Sequence, residues 1–375
     1  MNCYITNMAK FHHFLLLFCV TAIFVMGLVM IFNTTSAEVL DHLLNRSTHQ
    51  ALFKQMAYAA CGLGMALVVW KVGYRRLIAW SPFLFVLFCL LLVLVLIPGV
   101  GREVNGSRRW LGIGGFSFQP SEFIKYIVPA FIISQLKEKP ASKLTLKEFL
   151  RIVGYLALPI GLILIEPNNG TAAVIGLMCL VMCIISGVKF KYWAVPLIVF
   201  TTIGSISAYQ LPYVNARLKV YLHPELDLKG KGHQPYQAKI AAGSGQFLGR
   251  GPGKSLQKLS YLPEAQNDYI AAIYAEEFGF VGMASLIFVY MLIGYIGFSI
   301  GMQAVDREGF YYATAIVFLF CFQAFMNLGV VSGLLPSTGL NLPFFSQGGT
   351  SLMANIMSLG LLLSIAHRPK EQAYA

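Results

Sequence analysis

The sequence predicts an all-α polytopic membrane protein with about ten transmembrane helices and one large extracytoplasmic loop between helices 7 and 8. Two observations predict this class. Hydrophobic residues make up 57% of the 375-residue chain and charged residues only 12%, whereas a globular domain carries about a quarter charged residues. Apolar runs of about twenty residues, the length that crosses a bilayer core, also recur along the chain. We therefore expect residues 1–375 to form a single integral membrane domain.

Ten candidate spans follow from these apolar runs, with both termini on the same side of the membrane. The fifth and sixth spans are separated only by the tight turn EPNNGT at 166–171, so we expect a helical hairpin. The eighth span is too long for one straight crossing and should tilt or extend beyond the bilayer. The spans lie near 12–33, 53–72, 78–99, 120–136, 149–166, 172–188, 192–210, 269–301, 310–332 and 345–366.

The orientation follows from the lysines and arginines of the short loops, which concentrate on the cytoplasmic side. With the N-terminus inside, most of these residues fall in inside loops, and a long outer loop is less bound by the rule. We therefore predict cytoplasmic N- and C-termini and a large outer loop at about 211–268. The basic residues are scattered through loops and no nucleic-acid motif is present, so we expect no nucleic-acid partner. The inside residues are Lys71, Arg75, Arg76, Lys137, Lys139, Lys143, Lys147, Arg151, Lys189, Lys191, Arg307, Arg368 and Lys370.

The large loop is the one long polar interval of the chain, and loops of this length are usually functional or disordered. Its tyrosines, prolines and glycines are a poor composition for disorder, so we interpret it as a structured site. Asp268 stands where this loop turns into a helix. Two interpretations remain open: a carboxylate that caps the helix, or a general base at the membrane–water boundary.

A second group of polar residues lies in NGSRRWLGIGGFSFQPSEFIK at 105–125. We place Arg108, Arg109 and Trp110 on an outside loop that precedes a helix beginning at Pro120. Glu122 and Lys125 follow at a spacing of three residues, so both lie on one helix face and can pair. Lys125 is either a snorkelling lysine with its partner or part of a cationic floor for a phosphate group.

Two further segments contain polar residues at membrane depth. Turn chemistry explains Pro, Asn and Gly in EPNNGT, whereas Glu166 at the end of a span is harder to explain by structure alone. The segment LPSTGLNLPFFSQGGTS at 335–351 is interrupted by Pro and Gly, and irregular backbone in a membrane must be buried in protein or line a cavity. Gln323 and Asn327 of the preceding helix could satisfy its backbone. The basic residues predicted outside favour an anionic lipid-linked phosphate or pyrophosphate as substrate.

These motifs, in this order and spacing, resemble the SEDS family (the RodA/FtsW group) over essentially the whole chain. The resemblance implies ten transmembrane helices and a peptidoglycan glycosyltransferase of the bacterial cytoplasmic (inner) membrane. Such an enzyme polymerises lipid II, an undecaprenyl-pyrophosphate-linked disaccharide peptide, together with a class B penicillin-binding transpeptidase. By the resemblance, Asp268 matches the acid essential in the family and would deprotonate the 4-hydroxyl of the acceptor sugar.

The resemblance also implies substrate-binding residues and leaves room for an assisting divalent cation, Mg²⁺ or Mn²⁺, although the sequence has no acidic cluster that demands a metal site. The chain departs from the family at Asn168, where Asp is usual, at His233 and Gln347, where aromatic residues are usual, and at Ala238, where Ser is usual. The predicted substrate-binding residues are Arg108, Arg109, Trp110, Glu122, Lys125, Glu166, Asn168, His233, Gln234, Lys254 and Ser346.

The segments NGSRRW and LPSTGL resemble the division (FtsW) branch more than the elongation (RodA) branch. We therefore expect a role in septal wall synthesis, with other divisome proteins as partners. Several alternatives remain: an elongation role, a lipid II flippase or transporter, and a non-catalytic scaffold for the transpeptidase. A further glycosyltransferase or ligase that acts on another lipid-linked polysaccharide would share the chemistry and differ in the acceptor.

Overall fold

The computed structural model describes residues 2–42, 49–104, 107–113, 116–137, 139, 141–210, 221–222, 232–259, 262 and 265–366. Eleven α-helices and one three-stranded sheet lie within this part of the chain. The helices are α1 (Asn2–His42), α2 (Gln50–Val72), α3 (Tyr74–Leu96), α4 (Pro120–Leu136), α5 (Leu146–Ile165), α6 (Asn169–Ser186), α7 (Phe190–Gln210), α8 (His233–Ser244), α9 (Ile270–Met302), α10 (Arg307–Val331) and α11 (Gly349–Ala366). The strands are β1 (Gly101–Val104), β2 (Ser107–Ile113) and β3 (Phe116–Phe118).

Each of the ten predicted spans overlaps one of these helices, namely α1 to α7 and α9 to α11. Within the described residues, eight helices are long and apolar enough to cross a membrane by length and composition. The other two are α4, which has 17 residues, and α7, whose apolar part is Phe190–Val199. The predicted all-α polytopic fold is confirmed, and α8 is an additional helix inside the large loop.

Helix α4 lies at the centre of the bundle. Every residue from Pro120 to Ile133 is buried, and α4 contacts α3, α6, α10 and α11. A helix that meets protein on all sides shows no lipid-facing stripe, so its polar residues face other helices. This position explains why Glu122 and Lys125 of the predicted site are enclosed by protein.

Helices α2 and α11 pack closely through small residues. Gly360 of α11 lies against the backbone of Ala66 in α2, where a Cβ atom would overlap the Ala66 carbonyl. Small residues allow the backbones of membrane helices to approach each other in this way. The contact fixes the last helix, and with it the segment 335–348 that leads into α11.

Helix α9 is broken in its N-terminal part, at Gly279, whose φ of 64° lies in the left-handed region. A side chain at Gly279 would collide with the backbone at Gly249. Beyond the break, the N–H groups of Phe280 and Val281 donate to the carbonyls of Gln246 and Phe247 at 2.9 and 3.2 Å. The structure divides the span at 269–301 into two helical parts, and its tilt or extension beyond the bilayer stays a prediction.

A small antiparallel sheet with strand order β1-β2-β3 stands where the sequence analysis placed an outside loop. Its third strand touches α11, because the Thr350 hydroxyl donates to the Ser117 carbonyl at 2.8 Å. The dipeptides Asn-Gly at 105–106 and Gly-Gly at 114–115 are signals for tight turns between strands. These signals could have predicted the sheet.

The loops predicted to lie inside meet at one end of the bundle. Here the Asp306 carboxylate, at the start of α10, accepts hydrogen bonds from the Tyr74 hydroxyl at 3.0 Å and the Arg75 guanidinium at 2.8 Å. Lys137, which follows α4, pairs with Glu308 of α10 at 3.5 Å. The α2–α3 turn, the end of α4 and the α9–α10 connection therefore lie together, as the predicted alternation of crossings requires.

Candidate active site

Asp268 lies at the other end of the bundle, one residue before the N-cap of α9, and is partly exposed. The N-cap position is occupied by Tyr269, without a side-chain cap, and the Ala272 N–H donates to the Tyr269 carbonyl at 2.9 Å. The helix therefore begins after Asp268, and its carboxylate does not occupy the cap position that one interpretation of the sequence assigned to it. Oδ2 of Asp268 lies close to Gly339 in the segment 335–348.

Asn327 of α10 joins Asp268 to this segment. Its amide Nδ2 donates to the Asp268 carbonyl and to the Leu340 carbonyl, each at 2.8 Å, and Asn327 is 2% exposed. A second link is the Gln347 N–H, which donates to the Gln266 carbonyl at 2.9 Å. Asn327 thus satisfies irregular backbone as the sequence predicted, and it does so at the candidate base.

Arg109 of β2 holds the turn between α5 and α6. Its Nε donates to the Glu166 carbonyl at 2.9 Å and its Nη2 to the Pro167 carbonyl at 2.6 Å. Two of the guanidinium's five N–H donors are therefore directed at backbone carbonyls of the turn. The guanidinium carbon also lies 6.0 Å from the centre of the Trp110 ring, within the range of a cation–π contact.

The turn held by Arg109 reaches the same segment as Asp268. Gly170, in the first turn of α6, packs against the Thr338 carbonyl and the Leu340 side chain. Because Leu340 is also held by Asn327, the segment 335–348 lies between the turn and the candidate base. The structure therefore brings Asp268, Arg109, Glu166 and Asn168 to one region, at the end of the bundle opposite Asp306.

Glu166 follows the last residue of α5 and is wholly buried. Within the described residues, neither of its carboxyl oxygens makes a hydrogen bond. Burial raises the pKa of Glu166 to about 8, and the positive charge of Arg109 lowers it by a smaller amount. A carboxyl group with this pKa retains its proton near neutral pH. Glu166 is thus a neutral acid beside the turn.

We expect Glu166 to make the stability of the protein decrease as the pH rises. The folded protein retains this proton between the ordinary pKa of about 4.3 and the folded pKa of about 8, whereas the unfolded chain releases it. Stability should therefore fall by up to about 1.4 kcal/mol per pH unit in this window. The measurement is the thermal melting of detergent-solubilised protein. The stability of Glu166→Gln minus that of wild type should increase as the pH is raised from 5.5 to 8.5.

Glu103→Gln is the matched control, because Glu103 has an exposed side chain paired with Arg108. Its stability relative to wild type should change little over this pH range. A stability difference between Glu166→Gln and wild type that stays the same at pH 5.5 and 8.5 would contradict the neutral state of Glu166.

Asn168 links the turn to the start of α4. Its Nδ2 lies 3.4 Å from the Ser121 hydroxyl oxygen, which also accepts from the Gln119 amide at 3.0 Å. The Asn168 side chain does not cap α6. With Asp at this position, the Ser121 hydroxyl would have to be the donor, because a carboxylate only accepts. The departure from the family pattern at 168 therefore changes the direction of this contact.

Lys125 and Glu122 form a buried ion pair in α4. Nζ of Lys125 lies 2.7 Å from Oε2 of Glu122 and donates to Gln323 Oε1 at 3.2 Å. The Lys125 side chain is 2% exposed and the Glu122 side chain 10%. The pair therefore holds α4 against α10, and the charge of Lys125 is largely balanced within the protein.

The other predicted substrate-binding residues occupy different environments. Arg108 pairs across the sheet with Glu103 at 3.0 Å, and both side chains are exposed. His233 and Gln234 begin α8 and are partly buried, whereas Lys254 is exposed in the loop that follows α8. Ser346 is buried, and its hydroxyl accepts a backbone N–H within its own segment. Residues 211–220, 223–231, 260–261 and 263–264 of the large loop lie outside the described residues.

Sequence reasoning did not predict how the glycine-rich loop at 245–258 binds to α9. Glu277, 1% exposed, accepts hydrogen bonds from Asn33 Nδ2 at 2.8 Å and from the Gly253 N–H at 2.9 Å. It also lies 3.0 Å from the Lys258 ammonium group, whose Nζ donates to Asn33 Oδ1 at 2.7 Å. Glu277 therefore joins α1, the loop and α9.

Glu276 binds the same loop and is equally buried. It accepts from the Ser255 hydroxyl and from the N–H groups of Leu256 and Gln257, both at 3.2 Å. Arg250 Nε lies 3.4 Å from its carboxylate. In the run GRGPGKS, which resembles a cradle for phosphate, the N–H groups of Gly253 and Ser255 bond to the Glu277 carboxylate. Arg250 and Lys258 are paired with these acids.

Within the described residues, no three His, Cys, Asp or Glu side chains come together. Mg²⁺ is usually held by one or two carboxylates together with substrate phosphates, so the assisting cation of the sequence analysis stays a prediction.

A sequence model of the FtsW, RodA and SpoVE family, described as a cell cycle protein, matches residues 13–371. The chain belongs to this family. Stage V sporulation protein E of Bacillus subtilis (strain 168) is 36% identical over 346 residues, which cover 91% of this chain and 93% of the relative. The probable peptidoglycan glycosyltransferase FtsW of Trichlorobacter lovleyi is 35% identical over 362 residues, which cover 94% of this chain and 92% of the relative.

Solved structures related to the FtsW/RodA/SpoVE family share the fold over nearly the whole chain. One is a chain from a peptidoglycan synthase complex that was described for its structural coordination of polymerization and crosslinking. It aligns with a TM-score of 0.76 at 26% identity, covering 95% of this chain and 98% of that chain. The rod shape determining protein RodA of Thermus thermophilus aligns with a TM-score of 0.68 at 25% identity, covering 94% of this chain and 95% of RodA.

Proposed function

We propose that this member of the FtsW/RodA/SpoVE family is a peptidoglycan glycosyltransferase that polymerises lipid II at the outer face of the bacterial inner membrane. The observation that carries the proposal is the placement of Asp268. Its partly exposed carboxylate stands at the outer end of α9, beside the segment 335–348 and across from the turn that Arg109 holds. The FtsW relative, named as a probable peptidoglycan glycosyltransferase, supports the reaction class.

In the proposed reaction, Asp268 accepts the proton of the 4-hydroxyl group of the acceptor sugar. The oxygen of this hydroxyl attacks the anomeric carbon of the donor chain. The bond between that carbon and the lipid pyrophosphate breaks, and the pyrophosphate leaves with the bonding electron pair. Arg109 offsets part of the negative charge of the leaving group. Lys125, whose charge is largely balanced by Glu122, holds α4 in place. The remaining substrate-binding residues named in the sequence analysis stay predictions.

We assign the activity to cell division. FtsW and stage V sporulation protein E relatives are 35% and 36% identical to this chain, whereas the RodA structure is 25% identical. The synthase complex with the same fold couples polymerization to crosslinking, so we propose a class B penicillin-binding transpeptidase and other divisome proteins as partners. Both termini would lie in the cytoplasm and the large loop outside.

The test is polymerisation of labelled lipid II by the purified full-length protein in liposomes, with and without its cognate transpeptidase and with added Mg²⁺ or Mn²⁺. We expect glycan chains that lengthen with time. A flippase would move labelled lipid II across the bilayer without forming product, and a ligase would join a lipid-linked polysaccharide to another acceptor without extending glycan. Folded protein that binds the transpeptidase but forms no product under any of these conditions would favour a scaffold and contradict the proposal.

A further inference from the structure

The buried side-chain amide of Asn327 bonds to two backbone carbonyls. Its Nδ2 donates two hydrogen bonds of 2.8 Å, one to the backbone of Asp268 and one to the backbone of Leu340. Both partners are carbonyl oxygens, which accept and cannot donate. Only the amide nitrogen can therefore face them, and the orientation of the side chain is fixed by its partners.

These two hydrogen bonds tie together parts of the chain that are remote in sequence. Asp268 precedes α9, Leu340 belongs to the segment 335–348, and Asn327 lies near the end of α10. Oδ2 of Asp268 lies close to Gly339, the neighbour of Leu340. One side chain thus sets both the backbone that bears the carboxylate and the backbone beside which the carboxylate lies.

We propose that Asn327 is a positioning residue for the reaction: it fixes the Asp268 carboxylate at its place over the segment 335–348. This inference rests on the proposed function of Asp268 as general base. A displacement of about 1 Å in a catalytic group can reduce a rate by about 10²-fold.

The test compares Asn327→Ala, which removes the amide, with Asn327→Asp, which keeps the shape but, when ionised, has no donor. We expect kcat for lipid II polymerisation to fall by about 10²-fold in both variants, with KM for lipid II little changed. The matched control is Asn341→Ala. Asn341 Nδ2 also donates to a carbonyl of the segment, that of Gln347 at 2.9 Å, but this bond does not involve Asp268. Rates are normalised to the fraction of protein that melts cooperatively.

A double-substitution cycle separates positioning from general support of the fold. If Asn327 acts through Asp268, adding Asn327→Ala to Asp268→Asn should lower the residual rate by less than threefold, because the group being positioned is already absent. A further loss of about 10²-fold in the double variant would overturn the inference, as would equal rates for Asn327→Ala and Asn341→Ala. These outcomes differ from failure of the proposed function, in which the wild-type protein itself forms no glycan.

Discussion

Asp268→Asn is expected to lower the rate of lipid II polymerisation by about 10²- to 10⁴-fold, the range that general acid–base catalysis contributes. The substitution keeps the size and shape of the side chain and removes its ability to accept a proton in the reaction. The bond from Asn327 goes to the backbone carbonyl of residue 268, so the fold should be retained. The measurement is the initial rate of glycan formation from labelled lipid II in liposomes.

The matched control is Asp306→Asn, the same chemical change at the opposite end of the bundle. Asp306 caps α10 by accepting the Gly309 N–H at 2.7 Å, and Asn is as good an N-cap residue as Asp. This variant should polymerise at a rate close to that of wild type. Equal rates for wild type and Asp268→Asn would contradict the role of Asp268 as base. If no glycan forms and both proteins transport lipid II equally well, the flippase alternative is favoured.

Lys125→Met is expected to destabilise the protein by about 3–5 kcal/mol, because it leaves the carboxylate of Glu122 buried without its partner. The 2.7 Å contact between Lys125 and Glu122 and the further bond to Gln323 lie inside the bundle. The loss should appear in thermal or denaturant unfolding in detergent and should be accompanied by loss of polymerisation.

The double variant Glu122→Gln with Lys125→Met separates the two roles of the pair. Replacing both members of a buried ion pair by neutral residues is often close to neutral for stability, so most of the lost stability should return. Polymerisation should return together with stability, because Glu122 balances the charge of Lys125 and the pair acts by holding α4 against α10. A stable double variant that stays at least about tenfold below the wild-type rate would instead give Lys125 a direct part in binding the pyrophosphate.

Hydrophobic runs predicted the membrane helices well, because the length of an apolar run and the thickness of a bilayer are directly related. The position of Asp268 just before a helix and the contact of Asn327 with irregular backbone also followed from local patterns. The break at Gly279 did not, because an isolated glycine in an apolar helix carries no signal of what packs against it. The small sheet was missed although its turn dipeptides were present in the sequence.

Charge was the least predictable property. The sequence analysis counted the basic residues predicted outside as available to an anionic substrate, yet in the structure Arg108, Arg250 and Lys258 each lie within 3.4 Å of a carboxylate. These acids are separated from their partners by five to 26 residues, and ion pairs between segments depend on how the segments pack. A count of basic residues on one side of the membrane therefore overestimates the charge available to a ligand.

The first part of α9 connects the glycine-rich loop to the candidate base. Glu277 lies nine positions after Asp268, a length of about 13 Å along a helix, and every residue from Tyr269 to Glu277 is buried. At one end Glu277 is bound to Asn33 and to the glycine-rich loop; at the other stands the candidate base. We therefore expect a shift of the glycine-rich loop to be passed along this helical segment to Asp268.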